Sequence, residues 1–131
     1  MEPFIIGTTY NLTTSFGIKI LGDHIFICGG SSGTLFHFSL SSKKLIHRFH
    51  NYLSSDATFL NHLAIEHETG DILIVDSTDP TVWKVKGVQL GNSTIDRPLE
   101  AYLDLTDKVV YEAGLNGNGM AFLPRGQYIV L

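Results

Sequence analysis

Asn61-His62-Leu63-Ala64-Ile65 runs through the polar turn Glu68-Thr69-Gly70-Asp71 into Ile72-Leu73-Ile74-Val75. Two short apolar runs separated by a glycine-bearing turn are a strand–turn–strand signal. The pattern occurs twice more. Phe16-Gly17-Ile18-Lys19-Ile20 passes through Leu21-Gly22-Asp23 to Ile25-Phe26-Ile27-Cys28, and Asn118-Gly119-Met120-Ala121-Phe122 passes through Pro124-Arg125-Gly126 to Tyr128-Ile129-Val130-Leu131. The starts lie 45 and 57 residues apart (61 − 16 and 118 − 61), and the polar loop 87–98 accounts for the longer interval. Further on, Ser32-Gly33-Thr34-Leu35-Phe36-His37-Phe38 lies under Asp79-Pro80-Thr81-Val82-Trp83-Lys84-Val85.

Glycine punctuates the rest of the chain, with 13 residues against 4 prolines. The runs between turns predict strands at 17–21, 24–28, 34–40, 45–49, 62–66, 71–75, 81–85, 99–105, 119–123 and 127–131. Leu99, Ala101, Leu103 and Leu105 alternate with Glu100, Tyr102 and Asp104, which implies one buried and one wet face. Ile25–Cys28 and Ile72–Val75 are apolar on both faces, as in a strand lying between two neighbouring layers. Residues 56–64 hold a competing signal: Asp56 suits a helix N-cap, with Leu60, Leu63 and Ala64 on one face. The repeat places a strand there instead.

A period of about 40–50 residues with four strands marks a β-propeller blade. One blade cannot bury both of its faces, and stacked neighbours bury them for each other. The expectation is an all-β chain in which residues 1–131 form a partial β-propeller of about two and a half blades of four antiparallel strands. The blades fall at 14–52 and 59–106, with an incomplete blade at 116–131. The last strand stops at Val130-Leu131, so a longer propeller or a truncated product is expected, with open blade faces that favour self-association.

Composition bounds the function. Apolar residues are 44% and charged residues 17% of the 131, enough for a core. The net charge of −4 gives no basic stripe, so neither nucleic acid nor an anionic membrane is an expected partner. No apolar run is long enough to span a bilayer, and the start Met1-Glu2-Pro3-Phe4 does not read as a secretory signal, which leaves the compartment open. Cys28 is the single cysteine, so it forms no internal disulfide, and its apolar run reads as a buried, inert thiol. The sequons at Asn11 and Asn92 are short enough to arise by chance.

At Phe59-Leu60-Asn61-His62-Leu63-Ala64-Ile65, Gly70-Asp71-Ile72-Leu73-Ile74-Val75-Asp76-Ser77, Pro80-Thr81-Val82-Trp83-Lys84-Val85 and Asn118-Gly119-Met120-Ala121-Phe122-Leu123-Pro124-Arg125-Gly126-Gln127-Tyr128, the chain resembles the regucalcin/gluconolactonase/lactonohydrolase family. The resemblance covers roughly residues 14–131 and implies six blades around a central tunnel. It also implies a divalent cation (calcium, magnesium or zinc) held there, a small-molecule ligand, and metal-dependent hydrolysis of lactones or related esters. By the same resemblance Asn118 matches the metal-binding Asn, and Asn61 with His62 matches the tunnel and substrate positions one blade earlier. His62 departs from the family's Asp, and the blades that bring the family's Glu and Asp ligands have no counterpart here. One neutral amide oxygen does not hold a hard dication. No catalytic residue is therefore assigned, and the isolated chain is expected to be inactive. The alternative is a non-catalytic propeller module that binds a protein or small ligand at its loop face.

The remaining candidates have plainer readings. His47 and His50, and His62 and His67, lack the even spacing that puts two side chains on one strand face, so no histidine metal site is expected. His37 and His47 are expected to face outward. Asp76-Ser77 reads as a turn built on side-chain hydrogen bonds. Gly29-Gly30-Ser31-Ser32-Gly33 reads as a flexible turn, without the lysine and helix of a phosphate loop. Trp83 and Phe38 read as packing aromatics, and no G-x-S-x-G motif supports a serine hydrolase.

Overall fold

The structure, a computed structural model, describes residues 2–91, 93–123 and 127–130. Its described strands follow in chain order as β1 (Ile18–Leu21), β2 (His24–Cys28), β3 (Thr34–Ser39), β4 (Leu45–His50), β5 (Leu60–Ile65) and β6 (Ile72–Asp76). They continue as β7 (Thr81–Val85), β8 (Asp96–Pro98), β9 (Glu100–Asp104), β10 (Met120–Leu123) and β11 (Gln127–Val130). Among the described residues the chain is all-β apart from 3₁₀ turns at Gly7–Tyr10 and Gly87–Gly91. Among the described residues no helix is long and apolar enough to cross a membrane.

The strands make three sheets. β1-β2-β3-β4 is an antiparallel meander, with β8 added parallel to β4. The second sheet is β5-β6-β7-β9, antiparallel throughout, and β10-β11 is an antiparallel pair. The helix signal at residues 56–64 loses to tertiary pairing: 55–57 is a turn, and β5 pairs along β6.

The sheets pack face to face, which explains the strands with two apolar faces. Phe26, Leu35 and Phe49 of the first sheet meet Leu60, Leu63 and Ile72 of the second in one core. All six are fully buried, each contributing about 1.5–3 kcal/mol by its removal from water. On the other face of the second sheet, Ala64, Leu73, Val75 and Val82 pack with Met120 of β10. Alternate residues of β6 thus serve two different cores.

Ile25, Ile27, Phe36 and Phe38 line the outer face of the first sheet. The repeat leaves that face bare, but Phe4, Ile5, Tyr10 and Leu12 cover it. The Tyr10 and Phe38 rings meet edge-on at 5.1 Å. The expected open blade face at this end is therefore closed by residues 4–12, a stretch without strand periodicity.

β8 was not expected, because residues 87–98 read as a polar loop. Asp96-Arg97-Pro98 has no apolar alternation. It joins the sheet because Asp96 takes a bidentate pair from Arg48, both contacts 2.8 Å, and His50 Nε2 lies 2.8 Å from Asp96 Oδ1. A charged strand ending in proline suits a sheet edge.

The segments that open the three hairpins come together. β5 lies against β1 on one side and β10 on the other. Gly17 N–H donates to the Asn61 carbonyl at 2.6 Å. A Cβ on Gly17 would sit 2.7 Å from that oxygen and 2.8 Å from His62 Cα, so only glycine fits this approach.

Candidate functional site

The site grows from the end of β6. Asp76 is fully buried, and its carboxylate gathers four donors. Oδ1 accepts from the backbone N–H of Phe59 at 2.7 Å and of Thr78 and Asp79 at 3.0 Å each. Oδ2 accepts from the Thr58 hydroxyl at 2.5 Å. The side chain is fully used in holding two chain segments, as the turn reading expected, and is not turned toward a ligand.

Ser77 is the next link: it bonds one candidate residue, Asn61, and the segment that leads into another, Asn118. Its hydroxyl donates to the Gly117 carbonyl at 2.5 Å and accepts from Asn61 Nδ2 at 3.0 Å. Its carbonyl accepts from the Asn116 backbone and side chain at 2.8 and 3.2 Å. Asn61 reaches Ser77 because the β5–β6 register shifts between Leu60 and His62, and the bulge re-aims its side chain. Asn118 follows Gly117 directly and is exposed. Tyr111 closes the other side by donating to the Asp76 carbonyl at 2.8 Å. Burial, and then the nearby Asp76 and Asp79 charges, push its phenol up from the usual value.

The structure thus brings Asn61 and residues 117–118 to one end of adjacent strands. It places His62 beside them, half-buried, with its imidazole held below the usual value first by burial and then by the Lys19 charge. Sequence reasoning treated Ser77 as part of a local turn. Its partners lie 16 and 40 residues away, so only the sheet stacking reveals its role.

These donors do not fit a hard dication. Asn61 and Asn118 each offer one neutral amide oxygen, and the Asp76 carboxylate is saturated by backbone and hydroxyl donors. Among the described residues no group of three or more His, Cys, Asp or Glu side chains could hold a metal ion. Calcium and magnesium take six or more oxygen ligands, usually including carboxylates.

Lower between the same strands lies a cleft of about 260 Å³. Ile20, Ala64, Ile65, Met120 and Phe122 supply its apolar surface, and Lys19 and His67 its polar groups.

A separate row of imidazoles crosses the first sheet and corrects one expectation. His37 and His47 do not face outward: both are fully buried. They are directly paired across β3 and β4, a relation that spacing within one strand does not show. His24 Nδ1 lies 2.8 Å from His37 Nε2, and His37 Nδ1 lies 3.0 Å from His47 Nδ1. Burial, then His24 and His47, push His37 down to about 3, so at neutral pH it is uncharged and gives one hydrogen while taking another.

Cys28 is fully buried, and burial pushes its thiol far up, as expected of an inert cysteine. Trp83 and Phe38 are buried in packing positions. The chain matches no protein-family model and no curated protein.

Proposed function

We propose that the three sheets are blades of a β-propeller of the gluconolactonase/regucalcin-like kind, and that this chain binds a small ligand along its inner strands without catalysing a reaction. The stacking of the antiparallel meander β1–β4 on the four-stranded antiparallel sheet β5-β6-β7-β9 supports the first part, as does the meeting of β5 with β1 and β10. One observation carries the second part. The Ser77 hydroxyl ties the Asn61 amide to the Gly117 carbonyl and so fixes a polar ledge next to His62 and Asn118. A preset ledge lowers the ordering cost of binding. Metal-dependent lactone or ester hydrolysis, the activity implied by the resemblance, needs a carboxylate ligand set that the described residues do not bring together here.

The test is an amide-resolved NMR titration with gluconolactone, with and without calcium, alongside a lactone hydrolysis assay. The expected result is saturable shifts at Asn61, His62 and Asn118 that do not need calcium, with no hydrolysis above background. Calcium-dependent hydrolysis, or no shift at these three residues, would overturn the proposal.

A further inference from the structure

We infer that the cleft between β1, β5 and β10 is a binding site for a small organic anion with a short apolar body, its carboxylate held by Lys19. The inference rests on the reading that the inner strands receive a small ligand, and it names the ligand's chemistry. Charge complementarity is the first ground. Lys19 is half-buried on the cleft wall, and among the described residues no acidic side chain pairs with it. Two other half-buried cations have acidic partners, Lys84 with Asp71 at 2.7 Å and Arg48 with Asp96 at 2.8 Å, and a third, Arg97, donates to the Gln89 carbonyl at 3.1 Å. The nearest acid along β5 is unavailable. Glu66 accepts from the Glu68 and Thr69 backbone N–H groups at 3.2 and 2.8 Å and so caps its own turn.

The shape of the site is the second ground. Lys19 and His67 are the polar groups of the cleft, and the rest of its wall is aliphatic and aromatic. A concave apolar surface with a few convergent polar groups is the usual form of a small-ligand site. His62 lies two residues before Ala64, on the same strand face. Burial and the Lys19 charge hold it below its usual value, which marks the positive field that an anion would neutralise.

The experiment compares hexanoate with hexanamide, which has the same body and no charge, followed through the Ala64 and Met120 methyl signals. The expected result is saturable hexanoate binding, with hexanamide weaker by about tenfold or more, the worth of one charge-assisted contact. Lys19→Gln is expected to lose that preference and Lys19→Arg to keep it, with unchanged dispersion of the amide spectrum reporting the fold. Equal binding of the two probes, or an unchanged preference in Lys19→Gln, would overturn the anion inference while gluconolactone binding at Asn61 and Asn118 still stood. Loss of hexanoate and gluconolactone binding together would overturn the ligand-binding reading as well.

Discussion

Lowering the pH from 8 to 5 should destabilise this protein, chiefly through His37. It lies in the row His24–His37–His47, fully buried, with a ring nitrogen bonded on each side. Its folded value of about 3 lies below the ordinary 6.5. A base whose folded value is depressed contributes its full stability above 6.5 and loses it as the pH falls below that point, because the unfolded chain takes up a proton that the folded chain refuses. Between pH 8 and pH 5 the loss from a folded value of about 3 comes to about 2 kcal/mol. For a chain of 131 residues such a loss lowers the melting midpoint by roughly 6–10 °C. The assay is urea unfolding at each pH, followed by the fluorescence of the single tryptophan, Trp83, for the native chain and for His37→Gln. His62, also held low, adds a pH slope to both proteins, so the difference between them isolates His37. A His37 ring that titrates near 6.5 by NMR, or identical slopes in the two proteins, would refute the reasoning.

Four further outcomes follow. Asp76→Ala leaves the Thr58 hydroxyl and three backbone N–H groups without their acceptor, and should cost about 3 kcal/mol or more in urea unfolding. Ser77→Ala should cost about 1–3 kcal/mol and move the amide signals of Asn61 and Asn118 together, since one hydroxyl joins their segments. Trp83→Phe should change stability by no more than about 1 kcal/mol, because the indole N–H is buried without a partner among the described residues and its removal offsets the lost area. Cys28 should resist thiol reagents in the native state and react only as fast as the sheet opens, which a labelling time course in rising urea would show.

The strands were largely legible because their apolar runs are short, β-branched and bounded by glycine. Ile72-Leu73-Ile74-Val75 even announced its two buried faces, which the structure fills from two different sheets. What escaped was whatever depends on partners far along the chain. Asp96-Arg97-Pro98 is a strand by virtue of Arg48, not of its own pattern. Phe4, Ile5, Tyr10 and Leu12 have no periodicity because they cover a sheet without joining it. His37 and His47 looked like surface residues by type, yet cross-strand pairing lets each satisfy the other inside the core. Asn61 and Asn118 were singled out by the family resemblance, whereas the hydroxyl that relates their segments, on Ser77, was visible only after folding.

The central claim is that stacked sheets bring Asn61, His62 and Asn118 to one end of adjacent strands. A nitroxide on Asn118→Cys tests it most directly, because Asn118 is exposed and the buried Cys28 will not compete for the label. The account predicts strong broadening of the Asn61, His62 and Ser77 amide signals, with the turn at residues 40–42 unaffected. Unbroadened signals at Asn61 and Ser77 would contradict it.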